Sequence, residues 1–301
     1  MILPNSGGTI RSLWLTFPVR FTAMLSYRHA YHAGNHADVL KHLTQMLILE
    51  YMLQKADKPL CYIDTHAGPG SYSLRGGYAD KCREFEQGIG RIYSRDDLAE
   101  PIARYRDRVC EFNRGGNLLR YPGSPAIALE LAGTTNRLRL FELHPADFHS
   151  LDKWATRQRR VEVEQADGFE RVLKSLPPPE RRALVVIDPP YEIKRDYRTV
   201  LVTLDRCVKL FATGVYLLWY PLLERSEVIE LRQALRAKPW RWLNAELRVR
   251  DRGEGMFGSG VFVINPPWHL AAELNQCLPQ LQQILALDAG ADSELLTHGL
   301  E

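Results

Sequence analysis

The run Asp188-Pro189-Pro190-Tyr191 follows five apolar residues and combines a carboxylate, two prolines and an aromatic ring. Consecutive prolines stop strand pairing and fix the backbone. The Asp188 carboxylate and the Pro189 carbonyl would then point the same way as two acceptors, which is what an exocyclic NH2 group requires. The Tyr191 ring offers a face on which a planar ring can stack. The run therefore predicts a site for a flipped-out purine whose amino group is held between two acceptors.

A rival copy of this pattern, Asn265-Pro266-Pro267-Trp268, follows another apolar stretch at 261–264. Its residue types could do similar chemistry, so one of the two copies is expected to be structural. The order of the motifs favours Asp188, because the copy at Asn265 lies near the C-terminus, well past the other candidate residues. We therefore predict that Asp188 carries the chemistry.

Three more acidic turns follow predicted strands. Asp64 precedes Gly68 and Gly70, and glycines let the backbone approach a ligand closely. Glu142 closes the strand LRLFE, where an acid can accept both ribose hydroxyls of an adenosine-type cofactor. The dipeptide 167–168 (Asp-Gly) could hold an adenine amino group. Each of these features is also compatible with an ordinary turn or an exposed strand end.

The spacing of these turns predicts an insertion. A compact nucleotide-binding unit places its acid about 20 residues after the glycines, whereas Glu142 lies much further beyond Gly70. Residues 76–119 are charged and rich in helix formers, so we expect a small helical subdomain there.

Apolar runs alternate with helical patterns along the chain. Strands are predicted at 60–64, 138–142, 161–164, 183–187, 215–219 and 261–264, and a helix at 36–55. Strands alternating with helices predict an α/β fold with a doubly wound, mostly parallel sheet and helices on both faces.

Composition narrows the class of protein. The chain has 301 residues, 45% hydrophobic and 25% charged, with a net charge of +3, which excludes a disordered, collagenous or coiled-coil chain. No stretch approaches the roughly 20 apolar residues of a membrane helix. Five scattered cysteines without a CxxC pair disfavour a zinc ribbon or a disulfide scaffold and favour a reducing cytoplasm.

Residues 1–23 differ from the rest, with two arginines and no acid. Their apolar run is too short for a secretory signal. We expect an extension without stable structure; a transit peptide is the alternative. The nearby histidines lack the HExxH pattern, so we expect no metal site and favour a pocket or phosphate role for them. They are His29, His32, His36 and His42.

With these residues assembled, the chain resembles the class I S-adenosylmethionine-dependent adenine-N6 methyltransferases, and more closely the bacterial 23S ribosomal RNA enzymes of the J type (the RlmJ family). The motif DPPY alone indicates only the amino-methyltransferase class, and the stretch MLSYRHAYHAGNHADVLKH at 24–42 narrows the resemblance. The other matching stretches are DTHAGPG at 64–70, YPGSP at 121–125, ELHP at 142–145, ADGF at 166–169, IDPPYE at 187–192, LWYP at 218–221 and NPPW at 265–268.

The resemblance implies that residues 24–301 form a Rossmann-like methyltransferase domain. It also implies roles for individual site residues. Tyr27, His29 and Lys41 would close over the active site, and Asp188 would be the catalytic acceptor. The candidate catalytic residues are Asp188, Pro189, Tyr191, Lys41, Tyr27 and His29. The candidate cofactor-binding residues are Lys41, His42, Asp64, His66, Gly68, Gly70, Ser124, Glu142, Asp167, Gly168 and Asp188.

The implied reaction is methyl transfer from S-adenosylmethionine to N6 of an unpaired adenine in 23S ribosomal RNA, leaving S-adenosylhomocysteine. We expect a monomer acting on free or partly assembled RNA, with no membrane. Basic residues of the insertion and of 236–252 are expected to touch RNA. Three alternatives remain: N6-adenine in DNA, a glutamine amide in a protein, and a non-catalytic RNA-binding protein on the same fold.

Overall fold

The computed structural model describes residues 29–55, 57–75, 79, 82–133, 135–156 and 158–300. The predicted extension 1–23 and the candidate Tyr27 lie outside the described residues. The α-helices are α1 His36–Leu53, α2 Glu100–Phe112, α3 Ser124–Ala132, α4 Pro145–Ala155, α5 Gly168–Lys174, α6 Lys194–Leu210, α7 Ser226–Arg236 and α8 Leu270–Leu285. The strands are β1 Cys61–Asp64, β2 Ser71–Ser73, β3 Arg120–Pro122, β4 Arg137–Glu142, β5 Val161–Gln165, β6 Ala183–Ile187, β7 Val215–Leu222, β8 Trp242–Arg248, β9 Gly258–Ile264 and β10 Asp292–His298.

Eight of the described strands form one sheet in the order β10-β8-β9-β7-β6-β1-β4-β5. Strands β7, β6, β1, β4 and β5 run parallel. Strands β9, β8 and β10 extend the sheet antiparallel to their neighbours. The predicted α/β class with a largely parallel sheet is therefore confirmed. The strands β8 and β10 were not predicted, because their apolar residues are interrupted by charged ones.

Alternate residues of the central strands feed two separate cores. In β6, Leu184 and Val186 join one core, and Val185 and Ile187 join the other. Successive strand side chains point to opposite faces, so a run of five apolar residues is what a strand covered on both sides requires. Helices α1, α2, α3 and α8 cover the first face, and α5, α6 and α7 cover the second.

Helix α1 lies deep in the first core. Asn35 caps it, because its side-chain oxygen accepts from Ala37 N and Asp38 N at 2.9 and 3.1 Å. The helix contacts α3 and β9 on different sides, and nearly all of its residues are buried. The polar residues of α1 are therefore fixed in place, and a charged one among them needs a partner.

The stretch predicted as a helical insertion contains short helical elements. After β2 come two 3₁₀ turns, Glu84–Gln87 and Ile89–Arg91, and then α2. Strand β3 follows and pairs antiparallel with β2, with Ser73 opposite Arg120. The chain thus leaves the main sheet after β1 and returns at α3 through the antiparallel pair of β2 and β3. We call this pair the hairpin, although residues 74–119 lie between its two strands. No helix in the described ranges is long and apolar enough to cross a membrane.

Candidate functional site at the carboxyl edge of the sheet

The carboxyl ends of four neighbouring parallel strands carry the acids singled out in the sequence. Strands β6, β1, β4 and β5 are adjacent in that order, and they lead into Asp188, Asp64, Glu142 and Asp167. Along the chain, β4 and β5 are added in turn on one side of β1, and β6 is then added on the other side of β1. This reversal creates the crevice in which open α/β sheets bind ligands.

Asp188 begins the turn after β6 and contacts Lys41 of α1. Lys41 Nζ donates to Asp188 Oδ2 at 2.5 Å. The other carboxylate oxygen, Oδ1, takes no hydrogen bond from the described part of the chain. Asp188 is partly exposed, whereas Lys41 is buried. Among the described residues, therefore, a buried ammonium holds one Asp188 oxygen and the other has no hydrogen-bond donor.

Asp38 lies one helical turn before Lys41 and joins the site into a buried charge network. Its carboxylate accepts from Lys41 Nζ at 2.9 Å and from Gly34 N at 2.8 Å. His29 Nε2 lies 3.0 Å from both oxygens of Asp38. One carboxylate that is 1% exposed thus anchors both Lys41 and His29.

The charges of this network decide its protonation. Burial alone would raise the pKa of Asp38, but the neighbouring His29 and Lys41 outweigh it and hold that pKa well below its ordinary value. Burial alone would lower the pKa of Lys41, but Asp188 and Asp38 outweigh it and raise that pKa. Asp38 is therefore ionised and Lys41 protonated across the neutral pH range.

Tyr191 is placed in the core by an unusual backbone conformation. Its φ is 51°, its side chain is 4% exposed, and its hydroxyl donates to the Trp219 carbonyl at 2.9 Å. The ring centroid of Tyr197 is 4.6 Å away. This conformation gives the Tyr191 ring little open face, so its stacking role stays a prediction.

The glycine turn after β1 contacts Glu142 directly. Gly68 N donates to Glu142 Oε2 at 2.8 Å, and His144 N donates to Oε1 at 2.7 Å. Gly68 and Gly70 have φ values of 59° and 82°, which favour glycine. Burial raises the pKa of Glu142 to about 7. Each carboxylate oxygen retains a lone pair, so Glu142 can still accept two hydroxyl donors.

Asp64 is fully buried and its oxygens are already in use. Oδ2 accepts from Tyr62 Oη at 2.8 Å and from Ser124 Oγ at 2.7 Å, and Oδ1 accepts from His66 N at 3.2 Å. Burial raises the pKa of Asp64. Asp64 therefore ties the first turn of α3 to the end of β1, and Ser124 uses its hydroxyl within the protein.

Asp167 caps α5, accepting from Phe169 N at 2.8 Å. A Cβ on Gly168 would lie 1.9 Å from the Thr65 carbonyl oxygen, so only glycine permits this close approach of α5 to the turn after β1. His66 packs edge-on against Phe169 with ring centroids 4.9 Å apart. Burial lowers the pKa of His66 to about 4, so its ring is neutral.

His42 follows Lys41 on α1 and is buried. Its Nδ1 is 2.8 Å from Tyr121 Oη, which is 2.7 Å from Tyr105 Oη. Burial lowers the pKa of His42 to about 3. Its Nε2 is buried without a hydrogen-bond partner among the described residues, and such an atom is costly unless something satisfies it.

The rival motif at Asn265 lies at the opposite edge of the sheet. Strand β9 runs antiparallel to β7, so its last residue, Ile264, pairs with Tyr216 near the start of β7. The Asn265 amide donates to the carbonyls of Ala212 and Gly214, both at 2.8 Å. The predicted choice of Asp188 over Asn265 agrees with this geometry, since Asn265 closes a turn far from the crevice.

Sequence reasoning missed two elements of this site. Asp38 gave no motif of its own, although its position three residues before Lys41 on one helix could have marked it. The Tyr121 hydroxyl, which contacts His42, was visible only as part of the stretch YPGSP. Both matter because they fix α1 residues that reach the crevice.

Comparison with known proteins identifies relatives of this fold and site. Residues 57–295 match the family model described as "Ribosomal RNA large subunit methyltransferase D, RlmJ". The chain is 46% identical over 265 residues to "Ribosomal RNA large subunit methyltransferase J" of Escherichia coli K12, covering 87% of this chain and 94% of the relative. It is also 46% identical over 266 residues to the protein of the same name from Haemophilus influenzae, with the same coverage.

A solved structure shows the same fold. The crystal structure of protein LPL1258 from Legionella pneumophila superposes with a TM-score of 0.83 at 32% identity. The match covers 89% of this chain and 99% of that one.

Proposed function

The chain belongs to the ribosomal RNA large subunit methyltransferase J family, and from this premise we propose that it transfers a methyl group from S-adenosylmethionine to N6 of an unpaired adenine in 23S ribosomal RNA. The observation that carries the proposal is the Asp188 carboxylate, with one oxygen held by Lys41 and the other without a donor among the described residues. It lies at the edge where Glu142 and the glycine turn meet. The expected product of the cofactor is S-adenosylhomocysteine.

The residues beside Glu142 fit an adenosine-type cofactor. Glu142 has lone pairs left for two ribose hydroxyls after accepting from Gly68 and His144. Gly168 lets α5 approach the Thr65 carbonyl beside the glycine turn, and the buried Nε2 of His42 makes no hydrogen bond in the described ranges. When bound, S-adenosylmethionine supplies a methyl group already activated by its positively charged sulfur.

Asp188 and Pro189 would hold the adenine. A hydrogen bond from N6–H to the free Asp188 oxygen, and one to the Pro189 carbonyl, favour a pyramidal nitrogen whose lone pair points at the methyl carbon. Fixing this line of attack is an orientation effect, which supplies a large share of such rate enhancements.

Lys41 would keep the acceptor in place. Its raised pKa makes it a permanent cation at neutral pH, so it is a counter-ion for Asp188 rather than a base. Since Lys41 also bonds to Asp38, it would restrain the Asp188 side chain and leave Oδ1 to accept from the substrate. His29, bonded to Asp38, would border the same opening.

The substrate is proposed to be free or partly assembled 23S ribosomal RNA, and the protein is proposed to act as a monomer in the cytoplasm. Competition between equal amounts of unmodified RNA and DNA in one methylation reaction distinguishes RNA from the DNA alternative. The proposal requires methyl incorporation into the RNA.

The experiment compares Asp188→Ala with Asn265→Ala, both in the sequence X-Pro-Pro-aromatic, using labelled S-adenosylmethionine and unmodified 23S RNA. We expect no methyl incorporation with Asp188→Ala, because the N6 acceptor is lost. We expect Asn265→Ala to keep activity wherever it remains folded, because Asn265 lies at the other edge. Activity in the first variant and none in a folded second variant would overturn the proposal.

A further inference from the structure

Many of the basic residues expected to touch RNA are bound to carboxylates within the protein. Arg104 pairs with Glu50 and Glu273. Other internal pairs are Arg108–Glu130, Arg236–Glu246, Lys238–Asp205 and Arg248–Asp292. A guanidinium already neutralised in this way contributes little to binding phosphates. These pairs engage only part of the basic set, because Arg241, Arg250 and Arg252 form no ion pair with a carboxylate among the described residues. The expected contact of the insertion 76–119 and of 236–252 with RNA therefore stays a prediction.

The small hairpin of β2 and β3 carries a different set of arginines. Arg75, Arg114 and Arg120 are all exposed, and none forms an ion pair with a carboxylate in the part of the chain that the structure describes. No carboxylate of the described ranges neutralises these charges, so we take them as candidates for binding an external anion.

The pairing of the hairpin brings these arginines to one end. Tyr72 and Tyr121 pair and are buried, so the alternate residues Ser73 and Arg120, also paired, face outward. Leu74 N donates to the Leu119 carbonyl at 2.9 Å. This bond places Arg75 beside the end of the loop at 113–119, which joins α2 to β3.

The same loop holds Arg114. Asn113 Oδ1 accepts from Leu119 N at 3.1 Å and from Arg120 N at 3.0 Å, which closes the loop on the start of β3. Arg114 has a φ of 53° and directly follows Asn113. The three arginines thus lie around one end of the hairpin.

Arg120 is held in position on this face. Its guanidinium lies over the Phe112 ring, 5.1 Å from the centroid, and Nη2 donates to Ser71 Oγ at 3.1 Å. Beyond this stacking and one hydrogen bond, its remaining N–H groups have no partner among the described residues. A planar donor fixed in this way suits a phosphodiester oxygen pair.

The other end of the hairpin is joined to the candidate active site. Gly123 N donates to the Gly70 carbonyl at 3.0 Å, and the next residue, Ser124, donates to Asp64. Strand β2 begins directly after Gly70. The arginine end is only a few residues, about 10–13 Å of extended strand, from the glycine turn.

We propose that Arg75, Arg114 and Arg120 form a phosphate-binding surface that holds the RNA backbone of nucleotides flanking the target adenine. This inference rests on the proposed function, because RNA is the partner it names. The three guanidiniums would contribute affinity and position, with no base discrimination, and the target base would be held at Asp188.

The test measures direct binding of unmodified, in vitro transcribed 23S RNA by fluorescence anisotropy over a series of KCl concentrations. The variant is Arg75→Ala/Arg114→Ala/Arg120→Ala. A control variant, Lys153→Ala/Arg159→Ala/Arg160→Ala, removes the same charge from exposed residues around the end of α4 and the start of β5, at the amino edge of the sheet. Calorimetric binding of S-adenosylmethionine and the unfolding temperature are recorded for both.

We expect the hairpin variant to weaken RNA binding about tenfold or more at low salt. We expect the slope of log Kd against log salt to fall by roughly two to three, about one per lost phosphate contact. S-adenosylmethionine binding and unfolding temperature should match wild type, and the control should keep the wild-type slope.

If the hairpin variant keeps the RNA affinity and salt slope of wild type, the proposed phosphate-binding surface is refuted. It is also refuted if the control variant loses as much RNA affinity as the hairpin variant. Methyl incorporation is measured separately with wild-type protein. If wild type binds RNA through the hairpin but incorporates no methyl group, the proposed function fails while the surface stands.

Discussion

Replacing Asp38 by Asn tests whether the buried network holds the site together. Asp38 is 1% exposed and accepts from Lys41, Gly34 and His29. Asparagine keeps the size but removes the charge and turns one acceptor into a donor. Removing one partner of a buried ion pair costs about 3–5 kcal/mol. With roughly 2–4 °C per kcal/mol for domains of this size, the unfolding temperature should fall by about 6–20 °C.

The pH dependence of the same variant has a definite sign. The pKa of Asp38 is held well below its ordinary value of 3.8 by His29 and Lys41, against the opposing effect of burial. An acid with a lowered folded-state pKa stabilises the protein above its unfolded-state pKa, and this contribution is lost as pH falls through the folded-state value. The difference in free energy of unfolding between wild type and Asp38→Asn should therefore shrink as pH falls below about 4.

The assay is urea unfolding followed by circular dichroism at several pH values. A matched control is Asp97→Asn, which removes an exposed partner of Arg95 and should leave the urea midpoint unchanged. If the free energy of unfolding of Asp38→Asn lies within about 0.5 kcal/mol of wild type, as for an ordinary surface change, the network does not hold the site as described.

Three further predictions concern the crevice. Gly168→Ala should lose about 1–3 kcal/mol of stability in urea unfolding, because the new Cβ would lie 1.9 Å from the Thr65 carbonyl oxygen. S-adenosylmethionine affinity, measured by calorimetry, should fall as pH drops through about 7, because burial raises the pKa of Glu142 to that value and a protonated carboxyl accepts fewer hydroxyl donors; Glu142→Gln should abolish this dependence. Tyr121→Phe should cost about 1–3 kcal/mol in the same unfolding assay, because His42 Nδ1 loses its partner.

Each of these predictions has a result that contradicts it. Gly116→Ala is the control for Gly168→Ala, since its Cβ would meet only the Asn113 carbonyl oxygen, at 3.4 Å; equal stability of the two variants would refute the close approach. A wild-type affinity that is flat between pH 6 and 8 would refute the role of Glu142. Tyr93→Phe removes an exposed hydrogen bond, and an equal effect there would refute the buried role of Tyr121.

The parallel part of the fold could be predicted because its strands have clear local patterns. The runs ending at Asp64 and Ile187 are continuous, since burial on both faces demands apolar residues, whereas the strand ending at Glu142 alternates. Their order in the sheet, which brings Asp188 beside the glycine turn, depends on long-range pairing.

The two proline motifs show where sequence information stops. Asp188 and Asn265 both follow apolar strands, and the residues alone cannot say at which edge each lies. The direction of β9 decides the edge at which Asn265 lies. Because β9 runs antiparallel to β7, it ends where β7 begins. The ranking of Asp188 above Asn265 rests on motif order and stays a prediction; the structure adds that the two motifs lie at opposite edges of the sheet.

The charged residues could not be interpreted from local sequence. Arg104 and Arg236 belong to basic clusters, yet their partners Glu273 and Glu246 come from distant segments. Likewise Asp38 meets His29, which precedes α1, only through the fold of that segment, whereas its contact with Lys41 follows from their spacing on one helix. Electrostatic roles depend on which side chains the fold brings together, and spacing along the chain does not reveal that.

The most direct test of the account maps N6-methyladenine at nucleotide resolution in 23S ribosomal RNA from a strain lacking this chain. The account predicts that one N6-methyladenine is missing, that wild-type protein restores it, and that Asp188→Ala does not. An unchanged methylation pattern in the deletion strain, or full restoration by Asp188→Ala, would contradict it.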